Sequence, residues 1–580
     1  MIEFYITDSE QAYAGLSSPK CLIQHGFVKT SDFFSEEERH QINAPSITLD
    51  FDAVEKMNAE LRMVIAALQG QTFRANAAMQ TRETNEDITF SLLFDTFKKI
   101  ITEKYFLQCS VSEIEKLLQT KGNYQLHFLL THKMRVAENA LQSSLSAHYQ
   151  FLEPTEKPEE LSLQKKFFYR FWQLKNRLLF KNPSAAKKHI AVYLYDSPHY
   201  VTLLHRFFEL AKADGNIHLS VIKITTGIAA SRAANFEALQ SPNCAVYDVA
   251  DFRCLPFQGH KDLWSALSKL DQRYSVLSDY QSLDNLELYY AWIGESMKLL
   301  KPDSALFLGH TDMGRAVSDC ARLHKVKSVN AEYALIFDAP IMDINIRFDI
   351  RASIGETSVQ TWKKYNDPSP VNVPIGYLRF DEISVPQSKP DFFLAHQLNP
   401  SLPTVFFAST WGAANKIHDE EKGLLCDAIS KLCASKNWNF IIKKHPSESD
   451  DVVKEILSKN NFPNQRCFMH DELNLNDAIA WSDLVCTQSS SIVLEAIYFE
   501  KPFCFVSYYG NRALADYFPF QDEPSLANLK SVDAFEAFAI AVLQQQKQSQ
   551  QEDFSRLKKK FLFATDAKAA ERLLHLLTNS

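Results

Sequence analysis

The strongest constraint on this chain is a structural rhythm that starts twice. From Lys188 onward, short β-rich apolar runs alternate with helix-period segments. HIAVYLYD reads as a strand, Tyr200–Ala213 as a helix and His218–Ile224 as a strand; Ser304–Leu308, Gly314–His324 and Val326–Glu332 then read as strand, helix and strand. After the proline-bearing stretch Val385–Pro403 the alternation begins again: PTVFFAST as a strand, Glu420–Ala434 as a helix, Trp438–Lys443 as a strand, Leu475–Trp481 as a helix, then DLVCT, SIVLEAIYF and KPFCFVSY as strand, helix and strand. Strands alternating with helices make βαβ units, and βαβ units make parallel sheets. The blocks 186–385 and 386–545 each have the size of one Rossmann-like domain. The expected fold is therefore α/β, with two Rossmann-like domains facing a cleft. Residues 546–580 add C-terminal helices. Residues 1–185 form an accessory region, read as a strand at Ile2–Ile6 followed mostly by helices such as Ala53–Leu68, Phe90–Tyr105 and Val111–Leu118.

Composition narrows the function classes. The formal net charge of -8 argues against a general nucleic-acid binder, which carries a basic face or domain. The beginning, MIEFYITDSEQAYAGL, lacks the basic-then-apolar layout of a secretory signal, and no run approaches the roughly 20 apolar residues of a membrane span. The ten cysteines are scattered without a C-x-x-C pair, as suits reduced thiols in a cytoplasmic protein; Cys486 and Cys504 read as small core residues. Glycine numbers only 15, and neither G-x-G-x-x-G nor G-x-x-x-x-G-K-[ST] occurs. A dinucleotide-dependent oxidoreductase and a P-loop NTPase are thus disfavoured.

Open parallel sheets bind ligands at the carboxyl ends of their strands, so the chemistry is sought there. In SDLVCTQSSSIVLEAIYFEKP a strand, Leu484–Thr487, runs into Ser489, Ser490 and Ser491 as a helix begins. Serine caps helices, the first helical amides lack partners, and hydroxyls and amides together can hold a phosphate without glycines. Glu495, a turn further in, offers acceptors for a ribose diol. In FIIKKHPSE a strand ends at Lys443 and Lys444, and Pro446 fixes the turn that presents His445. The imidazole can donate to a phosphate and, protonated, neutralise a departing one, with Lys443 or Lys444 adding a point charge. In ASTWG, Ser409 and Thr410 face the same crevice.

KKHPSE and the serine segment together resemble the paired HP and serine-serine motifs of bacterial surface-polysaccharide transferases of the GT-B fold: capsule polysaccharide biosynthesis proteins, Kdo transferases, sialyltransferases and CDP-glycerol glycerophosphotransferases. Ile375–Asp381, IGYLRFD, resembles the segment that joins the two domains in such proteins. The resemblance covers about residues 300–510. It implies a glycosyltransferase that takes a sugar from a nucleotide donor, CMP-linked Kdo or another nonulosonate leading, with His445, Pro446, Ser489 and Ser490 gripping the phosphate. It implies no essential metal and no cofactor beyond the nucleotide-sugar substrate. It also implies last helices, Phe554–Leu577, that cross back onto the first domain.

The same families place an acidic base in a short D/E-D/E-G motif. The nearest match is Glu332 in AEYA, which lacks one acid and the glycine; Asp312 in GHTDMG and Asp196 in YLYDSPH compete with it. The acceptor is a surface glycan, a lipid-linked sugar or a protein. A CDP-glycerol-type polyol-phosphate transferase, a sugar-nucleotide 2-epimerase and a degenerate binding subunit are the alternatives.

Two further features were weighed. Asp50-Phe51-Asp52 has the D-x-D form of a metal site but lies outside both blocks and reads as a strand end. Lys165–Lys181 holds six basic residues, no acid and many aromatics; it reads as a packed helix, with peripheral contact to the inner membrane as the other reading.

Overall fold

A computed structural model describes residues 2–7, 14, 19–24, 27–30, 33–35, 38, 111, 114–131, 148–152, 168, 170–171, 187–225, 236–254, 281–309, 312–334, 348–364, 371–383, 386, 388–409, 416–445, 462–468, 472–488, 490–506, 523–544 and 547–579. Three sheets organise them. In the N-terminal region, strands β1 (Ile2–Thr7), β2 (Lys20–Gln24), β3 (Phe27–Thr30), β4 (Tyr124–Thr131) and β5 (His148–Leu152) stand in the order β3-β2-β1-β4-β5. All pair in parallel except the β2–β3 hairpin. Period-2 alternation explains the inner face: Phe4, Ile6, Leu126 and Phe128 are fully buried, while Tyr5 and His127 stack at 4.6 Å on the other side. The sequence reading anticipates only the first of these strands. Two of its helices, 53–68 and 90–105, lie outside the described residues; the third coincides with a helix at 114–121.

The middle sheet holds β6 (Lys188–Tyr195), β7 (Ile217–Ile224), β8 (Cys244–Asp248), β9 (Ser304–Leu308), β10 (Lys327–Ala331), β11 (Ile350–Ser353) and β12 (Val371–Pro374). All are parallel, in the order β12-β11-β10-β9-β6-β7-β8. Its helices are α1 (Pro198–Leu203), α2 (His205–Ala213), α3 (Gln281–Leu300), α4 (Asp312–Leu323) and α5 (Glu356–Lys364). Burial on both faces, through Ile190, Val192 and Leu194 on one side and Ala191 and Tyr193 on the other, accounts for its near-continuous apolar strands.

After a connector that includes a 3-10 turn at Leu378–Glu382 and helix α6 (Lys389–Ala395), the third sheet follows. It holds β13 (Thr404–Ala408), β14 (Asn439–Lys443), β15 (Gln465–Phe468), β16 (Leu484–Thr487), β17 (Phe503–Val506) and β18 (Leu526–Leu529). The order is β15-β14-β13-β16-β17-β18, again all parallel. Helices α7 (Lys416–Lys436), α8 (Leu475–Trp481), α9 (Val493–Tyr498), α10 (Val532–Gln544), α11 (Lys547–Leu562) and α12 (Ala569–Thr578) complete it. The two parallel sheets are the pair of Rossmann-like layers expected from the restarting rhythm. Cys486 and Cys504 pair across β16 and β17 as fully buried core residues.

The last helices return to the middle sheet. The Asp381 carboxylate accepts the Ala569 and Ala570 amides at 3.0 and 2.6 Å, capping α12, and Arg572 donates to the Ile375 carbonyl at 2.9 Å. Gly355 lets α11 approach closely: a Cβ there would run into the Phe561 carbonyl oxygen.

Two stability outcomes follow. Gly355→Ala is expected to cost about 1–3 kcal/mol through this backbone clash, read as a lowered Tm in calorimetry. Gly423→Ala, where the added methyl meets nothing within 4 Å inside α7, is expected to be neutral or slightly stabilising. The second concerns His189, 3% exposed, whose pKa burial and then neighbouring His218 push down to about 4. The unfolded imidazole takes a proton near its usual pKa of about 6.5 that the folded one refuses, so stability falls as pH drops from about 6.5 towards 4. Thermal melts against pH are expected to show a shallower acid slope in His189→Asn than in the parent.

Candidate functional site

At the carboxyl edge of the third sheet, β13 stands between β14 and β16, with Ala408 opposite Lys443 and Phe407 opposite Cys486. The Ser409 amide donates to the Lys443 carbonyl at 3.0 Å, and the Thr487 hydroxyl donates to the Ala408 carbonyl at 2.7 Å. Ser409, Lys444 and Gln488 therefore leave the sheet in one row, at 7%, 6% and 5% exposure. From β13 the chain builds outward through β14 and β15 on one side and through β16 to β18 on the other. The strand order reverses between β13 and β16, the crevice where open α/β sheets take ligands.

The structure thus brings Ser409, Lys444 and the half-buried His445 to the same edge as Ser490 and Ser491. Lys443 is occupied elsewhere, donating to the Leu473 carbonyl at 2.8 Å. Thr410, Pro446 and Ser489 lie outside the described residues. The serine segment differs from expectation in one respect. The helix proper begins at Val493 with Ile492 as its cap, and the serines form a turn ahead of it. Ser490 Oγ accepts the Ile492 amide at 3.3 Å and the Ser491 carbonyl accepts the Leu494 amide at 3.0 Å. The hydroxyl takes up a local amide in place of capping the helix, as serines at turns commonly do.

Glu495, on α9, is 2% exposed. One carboxylate oxygen pairs with Arg379 at 3.0 Å, and Arg379 comes from the connector. The other oxygen, Oε2, is buried with no hydrogen-bond partner among the described residues. Burial pushes the carboxyl's pKa up, and Arg379 opposes that push.

In the middle sheet the order reverses between β6 and β9. Asp196 follows β6, its carboxylate 3.9 Å from Lys223 Nζ, which also reaches Asp248 at 3.3 Å. Three residues on, His199 meets Tyr200 and Tyr333 edge-on at 5.5 and 6.0 Å. Its pKa is held below the ordinary value by packing against these walls and by the Arg379 cation. The Tyr377 hydroxyl donates to the Tyr333 carbonyl at 3.3 Å. Connector residues thus touch both strand edges. The sequence reading missed Arg379 and His199 as site residues; the signals were the connector motif and the strand-end YDSPH.

Glu332 stands at the end of β10, 2% exposed. It accepts the Ile354 amide at 2.8 Å, the Ser353 hydroxyl at 2.8 Å and the Trp362 indole at 2.6 Å. Burial raises its pKa against these donors and against Arg351, whose guanidinium lies 3.7 Å from the Trp362 ring centre. This is the geometry of a carboxylate that pins β11 and α5 to β10. Asp312 opens α4, and its side chain is not among those described.

Asp50-Phe51-Asp52 also lies outside the described residues. Among those described, one group has the spacing to hold a metal ion: His205, Glu209 and Glu382, all exposed, with ligand atoms within 4.8 Å of one another. His205 and Glu382 already pair at 2.7 Å. Of Lys165–Lys181 only Phe168, Arg170 and Phe171 are described, and both phenylalanines are exposed. No helix among the described residues is long and apolar enough to cross a membrane.

The sequence profile of the family described as CDP-Glycerol:Poly(glycerophosphate) glycerophosphotransferase matches residues 351–579, which include the connector, the third sheet and the last helices. No curated protein matches the chain. Among solved structures the chain is similar to the UDP-GlcNAc 2-epimerase of Neisseria meningitidis bound to UDP-GlcNAc, at 13% identity and a TM-score of 0.45, covering 67% of this chain and 100% of that one. It is similar to the UDP-GlcNAc 2-epimerase of Methanocaldococcus jannaschii at 14% identity and 0.43, covering 67% and 99%. A glycosyltransferase of Rickettsia africae ESF-5 gives 11% identity and 0.41, covering 68% and 100%.

Replacing Glu332 by Gln turns one acceptor into a donor aimed at buried donors. The expected cost is about 2–4 kcal/mol, measured by chemical denaturation. A Glu332→Gln protein of unchanged stability would contradict the pinning role.

Proposed function

We propose that this chain is a transferase for a nucleotide-activated donor, held by its phosphate at the carboxyl edge of the third sheet. The supporting observation is the adjacency of β14, β13 and β16 at the sheet's switch point, from whose shared edge Lys444, His445, Ser409 and the Ser490–Ser491 turn follow. A lysine and an imidazole stabilise the charge that grows on a leaving phosphate, while hydroxyls and turn amides orient it. Glu495, with one oxygen uncommitted, is the acceptor for the donor's ribose hydroxyls.

The family profile over residues 351–579 favours a donor of the CDP-polyol class over the CMP-linked sugar that the motifs first suggested. In that reaction an acceptor hydroxyl oxygen attacks the polyol-bearing phosphorus. A new P–O bond forms, the bridging P–O bond of the diphosphate breaks, and CMP departs. The acceptor proton passes to a base on the middle-sheet side, where Asp196 stands at the strand-order reversal. Glu332 is a poor choice for that step, since its carboxylate is already committed to three donors. A glycosyl donor uses the same leaving-group site with a C–O bond broken instead.

Thermal shifts with CMP, CDP, UDP and GDP sort the donor: cytidine nucleotides are expected to stabilise the protein most. His445→Ala and Ser490→Ala are each expected to weaken nucleotide binding by about tenfold, the worth of one charge-assisted hydrogen bond, with the fold intact by circular dichroism. Unchanged binding in both would remove the site assignment.

A further inference from the structure

We propose that Arg379 is a positioning residue for the donor subsite: it fixes the Glu495 carboxylate as an acceptor for ribose hydroxyls, and so ties donor recognition to the connector between the two parallel sheets. The inference rests on the nucleotide-donor reading and deepens it.

Three observations carry it. Arg379 and Glu495 come from different elements, the connector and α9, and meet at 3.0 Å. Glu495 is 2% exposed, and an ionised carboxylate is costly there without a partner. Its second oxygen is buried and receives no hydrogen bond among the described residues, an unpaired acceptor on the helix that follows the serine turn. A ribose supplies neighbouring hydroxyl donors of the kind such an oxygen lacks. Burial drives Glu495 towards its protonated form and Arg379 drives it back. Among the described residues, the titratable and charged groups facing Glu495 are the Arg379 guanidinium and the Tyr377 phenol.

The connector's seat is firm. The Asp381 carboxylate caps α12, the Tyr377 hydroxyl reaches the Tyr333 carbonyl, and the Phe380 ring lies 4.5 Å from that of Tyr498 on α9. The residues flanking Arg379 are thus anchored, and its side chain, 41% exposed, reaches α9 from that seat. A ligand that tightens Glu495 gains from the connector being in place, and the connector is where the two sheets join.

The test is calorimetric binding of CMP and of 2′,3′-dideoxy-CMP to the parent, Glu495→Gln, Arg379→Gln, Arg379→Lys and the Arg379→Gln/Glu495→Gln double variant, at pH 6 and pH 8. The parent is expected to prefer the ribonucleotide by about tenfold or more at both pH values. Glu495→Gln and the double variant lose most of that preference at either pH. Arg379→Gln loses more of it at pH 6 than at pH 8, because the cation that opposes the burial-driven protonation of Glu495 is gone; Arg379→Lys keeps more at both. Should Arg379→Gln fail to fold, Arg379→Lys and the charge-neutral double variant still decide. An Arg379→Gln protein that keeps the parent's ribose preference at both pH values overturns the inference and leaves the donor reading standing. A parent that binds neither nucleotide overturns both.

Discussion

Strand polarity governs this molecule. In a sheet whose strands are all parallel, every carboxyl end emerges at one edge, and the turns that follow must find partners for backbone groups the sheet no longer satisfies. In the third sheet those turns carry serines, lysines and a histidine. Several polar atoms there are already satisfied locally, the Thr487 hydroxyl by the Ala408 carbonyl and the Ser409 amide by the Lys443 carbonyl. Ser409, Lys444 and the serine turn stand where the strand order reverses. The proposed donor site would thus follow from how the sheet is wound.

The connector adds a second constraint. It leaves β12 through Gly376, at φ +94, a left-handed conformation that a side chain would strain. It then spends its polar groups on both sides: Asp381 on α12, Tyr377 on the turn after β10, and Arg379 on α9. With α11 seated against Gly355, the last helices and the connector hold the two parallel sheets in register.

Much of this was legible in the sequence because burial on both faces leaves a plain mark. Strands such as β6, β13 and β16 read directly from their apolar runs, and their ends located Ser409, Lys444, His445 and the serine turn. Strands β15 and β18 did not read, since each has four residues and is only partly buried. In the N-terminal sheet β2 and β3 are only five and four residues long, and β4 pairs to β1 across more than a hundred residues, so neither the hairpin nor the long-range pairing left a plain mark. Glu332 attracted a catalytic reading from its strand-end position. Its fate was set by Trp362 and Ser353, whose approach depends on how α5 packs and cannot be counted from spacing. The Arg379–Glu495 pair joins residues distant in the chain, and only the fold brings it together.

The central claim is spatial, and a crystal structure of the protein with a bound cytidine nucleotide tests it most directly. The account predicts phosphate oxygens within hydrogen-bonding distance of His445 and the Ser490–Ser491 turn, and ribose hydroxyls against Glu495. A nucleotide found against the middle sheet, or with its phosphates away from the β13–β16 crevice, would contradict it.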